Sequence, residues 1–181
     1  MLEQLDQRLK ACSTFEAAVR TILADMVALH GAEFGNVQLA VGDKLVIVAE
    51  HGLRAPFLLA FREVRTTDGC ACGRAWQTGE PVIVPDVDLD EAFAPFRDVA
   101  KEAGYRSVQS TPLIAGDGMP LGMVSTLFAN PHVPTRIEMS ICKTYCVRAA
   151  DHLQALLNGA LLKTKARQMH EALYSDLRVD G

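Results

Sequence analysis

Cys70 and Cys72 stand two residues apart at the start of a short helical run over 71–77, and are the sharpest chemical feature of the sequence. A thiol at a helix start has its thiolate favoured by the backbone dipole, which makes this pair a candidate nucleophile and partner. The competing reading is packing, because a buried cysteine behaves as a small hydrophobe. Asp86, Asp88, Asp90 and Glu91 crowd the next loop and could hold a cation or orient a ligand amine. Their spacing lacks a glycine-centred calcium pattern, so a solvated, helix-capping loop is the alternative. Cys142 and Cys146 lie four apart on one face of a helix; as metal ligands they would need two further donors, and the five histidines are scattered without metal spacing. No metal site is expected. Phe57, Phe61, Trp76, Phe93, Phe96 and Tyr105 read either as the wall of an apolar pocket or as core.

The elements that position these groups follow from periodicity. Leu2, Leu5, Leu9 and Cys12 recur at helical spacing, and Ser13 with Glu16 predicts a capping box before a second helix carrying Phe15, Val19, Ile22 and Met26. From Gly35 the period changes to two, and Gly42-Asp43 predicts a hairpin between 37–41 and 44–50. A short helix opened by Pro56, a strand over 61–65 and another over 81–84 follow, then a helix over 94–103 with Pro95 near its start. Two strands, 106–114 and 121–128, make a second hairpin. Thr135 and Glu138 predict a capping box for a final helix that runs at least to Leu157 and, with Asn158-Gly159 as its weak point, extends as far as Tyr174. Unbroken, it would outgrow a compact domain, so its far end must meet a partner, fold back or fray.

The chain has 181 residues, 49% hydrophobic and 22% charged, enough for one real core without disulfide staples. A formal charge of −4 argues against a nucleic-acid partner, which would be held by clustered Lys and Arg. The longest apolar run is Ala55–Phe61, far short of the roughly 20 residues a membrane span needs. Residues 1–8 lack the apolar stretch of a secretory signal, and five cysteines without a framework suit a reducing compartment. A cytoplasmic location is the expectation.

The order of elements, together with the segment from Asp68-Gly69-Cys70-Ala71-Cys72-Gly73 through Gly79-Glu80-Pro81-Val82-Ile83-Val84-Pro85-Asp86, resembles the GAF domain family. Three further stretches agree: Phe34-Gly35-Asn36-Val37-Gln38-Leu39, Gly104-Tyr105-Arg106-Ser107-Val108, and Gly118–Thr126 followed by Asn130-Pro131-His132-Val133-Pro134. The resemblance covers about residues 12–160, leaving residues 1–11 as an N-terminal helical extension and 161–181 as a C-terminal helix or tail. It implies an α+β fold, with an antiparallel sheet of about six strands, the first and last helices on one face and a ligand pocket on the other. Gly69, Gly73 and Gly79 then shape the pocket wall without touching a ligand.

What the resemblance implies about function is a non-catalytic module of bacterial signal transduction. It would bind a small molecule and pass its state through the terminal helices of a homodimer to a histidine kinase or another output protein. The expected ligand contacts are Cys70, Cys72, Trp76, Asp86, Phe93, Phe96 and Ser110. Neither the ligand nor a cofactor is identified: the Asn-Lys-Phe-Asp-Glu signature of cyclic-nucleotide members and the Cys-His pair of bilin-binding members are both absent. Similar GAF enzymes, the free methionine-(R)-sulfoxide reductases, offer an alternative with Cys72 as nucleophile, although 96–103 lacks the second cysteine of that group. A third possibility is a dimerisation module whose pocket its own side chains fill. Leu2, Leu5 and Leu9, with Cys146, Ala149, Leu153, Leu156 and Ala160, form the stripes expected to face a second copy.

Overall fold

The computed structural model describes residues 1–157 and 159–177. Period-two alternation yields the strands β1 (Phe34–Val41) and β2 (Lys44–His51), and the shorter β3 (Glu63–Arg65) and β4 (Val82–Val84). The second hairpin is β5 (Ser107–Ile114) with β6 (Pro120–Phe128). Among the described residues they form one six-stranded sheet in the order β3-β2-β1-β6-β5-β4, every neighbouring pair antiparallel. This is the α+β architecture expected from the sequence.

The sheet separates two cores. On one face lie α1 (Leu2–Lys10), α2 (Phe15–His30) and α6 (Arg136–Leu156), packed on Val37, Leu39, Leu113, Leu121 and Val124. On the other lie α3 (Ala55–Ala60), α4 (Ala71–Thr78), a 3₁₀ segment over Glu91–Phe96 and α5 (Arg97–Ala103), packed on Leu45, Ile47, Val108, Met123 and Leu127. Between Leu113 and Ile114 the β5–β6 register jumps from Gly122 to Pro120. Leu121 is therefore an extra residue, and this bulge turns it toward the helices while Met123 faces the opposite core. Leu121 is buried, and Leu121→Ala is expected to cost about 2–5 kcal/mol. An unchanged urea midpoint would contradict that burial.

Local capping departs from expectation at one helix and meets it at another. The N-cap of α2 is Thr14, not Ser13: its hydroxyl accepts from the Ala17 amide at 3.3 Å, and Glu16 reaches Lys165 instead of closing a box. At α6 the Thr135–Glu138 box is complete.

The final helix breaks. Leu157 is extended (φ −140°, ψ 128°), Asn158 lies outside the described residues, and the chain resumes as α7 (Gly159–Asp176). This helix folds back along β2. Because β3 pairs only with Lys44–Val46, the outer edge of β2 is bare from Ile47 onward, and His170 Nδ1 donates to the Ile47 carbonyl at 2.8 Å. An unpaired strand edge is thereby covered. Leu162 and Ala166 join the helical core at one end of α7, whereas Tyr174 joins the opposite core at the other. Of the stripes expected to face a second copy, Leu5, Leu9, Cys146, Ala149 and Leu153 are buried inside one chain and Leu2 and Leu156 are partly buried, while the Ala160 side chain lies outside what the structure describes.

Candidate functional site

On the face opposite the long helices, a small cavity opens where the sheet meets α3 and α4. Its floor is the polar side of three strands: Asn36 and Gln38 of β1, Ser110 of β5 and Ser125 of β6. Its wall is Cys70, Ala71 and Cys72, and its roof is Phe57, Phe61, Phe93 and Tyr105. The enclosed volume is about 20 Å³, room for about one water molecule. The rings form a continuous shell, with Phe57–Phe61 centroids 4.6 Å apart, Phe57–Tyr105 at 5.8 Å and Phe61–Phe96 at 5.3 Å.

The polar groups of this floor are unusual for being buried and only partly paired. Ser110 and Ser125 hydroxyls share a hydrogen bond of 2.8 Å across the β5–β6 pair. Among the described residues, Asn36 Oδ1, Gln38 Oε1 and the Tyr105 hydroxyl have no partner, although their residues are 3%, 1% and 1% exposed. Among the described residues, no Asp, Glu, Lys, Arg or His lines the cavity.

The thiols meet at the wall, with Cys70 Sγ and Cys72 Sγ 3.4 Å apart. Cys70 is the N-cap residue of α4. The hydrogen bond from the Cys72 thiol, helped by the Gly73 amide, draws the Cys70 thiol below its ordinary range. The reverse holds for Cys72, whose thiol is pushed up by its hydrogen bond to Cys70 and by burial. Both thiols line the cavity, Cys72, the nucleophile implied by the reductase resemblance, included. Gly73 sets the approach of α4: a Cβ at that position would stand 2.4 Å from the Asp68 carbonyl oxygen and 2.8 Å from that of Arg65. Only hydrogen fits between the helix and the preceding loop.

Of the seven contacts expected from sequence, Cys70, Cys72, Phe93 and Ser110 line the cavity. Phe96 packs one ring further out, 5.6 Å from Phe93, and Trp76 is half-buried at the margin of the same core. Asp86 lies away from the cavity. Its carboxylate takes both Arg106 Nε at 3.1 Å and Nη2 at 2.6 Å, a fork that holds it below the usual carboxylate range. Asp90 caps the 3₁₀ segment through the Phe93 amide at 3.0 Å and meets Arg74 at 3.0 Å, so the acidic loop is a set of braces. Asn36, Gln38 and Ser125 were not anticipated. Polar residues alternating with Val37 and Leu39 read as a solvent face, and only the arrival of α3, α4 and Tyr105 from far along the chain buries them.

The second thiol pair belongs to the other core. Cys142 meets Thr111 at 3.4 Å and Gln109 at 3.7 Å, and Gln109 in turn meets His30 at 3.4 Å. Among the described residues, no group of three His, Cys, Asp or Glu side chains could hold a metal ion.

No curated protein matches the chain. Solved structures do. The GAF domain of an Acinetobacter phosphoenolpyruvate-protein phosphotransferase is 14% identical, with a TM-score of 0.70 over 85% of this chain and 90% of that one. The corresponding domain from Coxiella burnetii is 21% identical, with a TM-score of 0.67 over 90% and 94%. A domain assigned to a two-component sensor histidine kinase of Sinorhizobium meliloti is 17% identical, with a TM-score of 0.64 over 78% and 92%. At these identities the likeness is one of fold. The family pattern described as GAF domain, however, matches residues 12–154 in sequence, from the entry to α2 through nearly all of α6, and so the chain belongs to the GAF domain family.

Proposed function

We propose that this chain is a non-catalytic sensory module that binds a small uncharged molecule and reports its presence through α7. The observation that carries the reading is the cavity itself: buried, apolar above and, among the described residues, edged below by polar atoms without partners and lined by no charged side chain. A phosphate or carboxylate placed there would be desolvated with no countercharge, which strongly disfavours cyclic nucleotides and organic acids. A neutral ligand with hydroxyl or amide groups would satisfy Asn36, Gln38 and Tyr105.

Transmission follows from size. Ligand pockets commonly measure about 300–1,000 Å³, so a ligand larger than one water must move a wall. The sheet is braced on both faces, and the yielding wall is α3, a helix of six residues. Phe57 on α3 roofs the cavity, and the carbonyl of the next residue, Leu58, accepts the hydrogen bond of the Tyr174 hydroxyl from α7. The Arg62 guanidinium also sits over the Tyr174 ring, 5.0 Å from its centre. Lifting α3 would thus loosen the far end of α7, to an extent bounded by the ligand's differential affinity for the two arrangements. The likeness to a domain assigned to a sensor histidine kinase supports a signalling output as the receiver. A homodimer would use the outer face of α6, where Ile137 and Val147 stand exposed.

The test is a thermal-shift screen of uncharged and anionic small molecules. At least one uncharged class should raise the melting temperature, and Ser110→Val, which narrows the cavity, should abolish the shift. A response to anions alone, or one undiminished in Ser110→Val, would remove the reading.

A further inference from the structure

Two thiols and three unpartnered polar atoms meet at one void, and simple binding leaves the thiols idle. A disulfide bond is about 2.05 Å long, so closure from the observed 3.4 Å asks the sulfurs to approach by about 1.4 Å. Buried polar atoms of native proteins are almost always paired. Three unpaired ones around a void beside a thiol pair mark a place for a molecule that both donates and accepts hydrogen bonds.

We propose that Cys70 and Cys72 form a dithiol–disulfide pair oxidised by a small uncharged hydroperoxide held in this cavity. The proposal rests on the reading of the cavity as a small-molecule site and names a class of occupant. Hydrogen peroxide, two oxygens long, is the smallest hydroperoxide and asks for the least movement of the α3 wall. Asn36 Oδ1 and Gln38 Oε1 accept from its O–H groups, and the Tyr105 hydroxyl donates to the oxygen that departs.

The electrons balance within the pair. The Cys70 sulfur bonds to one peroxide oxygen, the O–O bond breaks, and the departing oxygen leaves as water with the thiol proton. Cys70 then carries a sulfenic acid. The Cys72 sulfur displaces its hydroxyl: the S–S bond forms, the S–O bond breaks, and the hydroxyl leaves as a second water with the Cys72 proton. Two thiols give up two electrons and the peroxide takes them. Cys70 attacks first because it is the helix N-cap residue and the sulfur on which negative charge is favoured.

The test treats the reduced chain with stoichiometric hydrogen peroxide and maps its peptides by mass spectrometry. Cys12, partly exposed where Cys70 and Cys72 are buried, is the internal reference. The Cys70–Cys72 peptide should lose two hydrogens before Cys12 changes, and dithiothreitol should restore them. Tyr105→Phe should slow that loss by roughly tenfold or more with the Cys12 rate unchanged. In Cys72→Ser, dimedone should label Cys70; in Cys70→Ser it should leave Cys72 unlabelled. Oxidation of Cys12 first, or a Tyr105→Phe rate equal to that of the unaltered chain, would overturn the proposal, and neither reading needs a cysteine variant to fold. The double variant Cys70→Ser, Cys72→Ser separates the two ideas: if it still responds to uncharged compounds in the thermal-shift screen, a failure of oxidation leaves the binding function standing.

Discussion

Gly122→Ala should abolish the folded state. The Cβ it introduces would stand 2.1 Å from the Gln38 carbonyl oxygen, 2.9 Å from Leu39 Cα and 3.0 Å from the Gln38 carbonyl carbon. All three are backbone atoms of β1, so no side-chain rotation relieves the clash. Nor can the strand retreat, because β1 is paired with β2 on its other edge, and β1 and β6 are the two central strands of the sheet. The clash falls beside the Leu121 bulge, where the ladder is already irregular. We expect a loss of more than about 4 kcal/mol, the range reserved for strain and severe overpacking, against total stabilities of about 5–15 kcal/mol for domains of this kind. The measurement is soluble yield and urea denaturation. A midpoint near that of the unaltered chain would show that β1 and β6 do not approach this closely.

A second large effect is expected at the buried carboxylate between the helices. Asp25 of α2 is fully buried, accepts the Tyr145 hydroxyl of α6 at 2.6 Å and meets the half-exposed Arg8 of α1 at 3.0 Å. Burial raises its pKa, opposed by the Tyr145 hydrogen bond and by the Arg8 charge. Tyr145→Phe removes the first of these and leaves a desolvated carboxylate, at a cost of about 2–3 kcal/mol near neutral pH. The sign with pH follows from linkage. A carboxyl whose folded pKa is raised adds stability that is fully present below its unfolded pKa and is lost as pH rises through the folded value. The Tyr145→Phe deficit should therefore shrink in mild acid, where Asp25 is neutral. Asp25→Asn should gain relative to the unaltered chain as pH rises, and Tyr145→Phe should cost less in that background. Comparing variants at each pH cancels the opposite trend from Asp86 and Glu138, whose lowered pKa values make them lose stability in acid. A deficit independent of both pH and Asp25 would show that Tyr145 contributes only by packing.

Much of the scaffold is legible along the chain because its signals are local. Apolar spacing in 15–30, alternation in 37–50, and the Thr135–Glu138 pair each concern residues within a few positions of one another, and each element formed. The cysteine loop and the glycine at 73 likewise carry their meaning in short range, since a tight approach between Asp68 and Gly73 is a matter of a few bonds. The sequence alone thus determined the α+β layout, the antiparallel hairpins and the placement of two thiols at the start of a helix.

The site and the path of the last helix were decided elsewhere. Period-two alternation in β1 says that Asn36 and Gln38 share one face and Val37 and Leu39 the other, but not which face is covered. That depends on α3, α4 and Tyr105, tens of residues away, whose arrival turns an apparently wet face into a cavity floor. Asp86 shows the converse: it sits close to the cysteines in sequence, yet Arg106 holds it outside the cavity. The break at Leu157 was foreshadowed by Asn158-Gly159, but the direction of α7 was not. A helix pattern encodes an apolar stripe without naming its cover, and the cover here is the bare edge of β2, exposed only because β3 is three residues long. Burial is a property of pairs of segments brought together by the whole chain, and no single segment contains it.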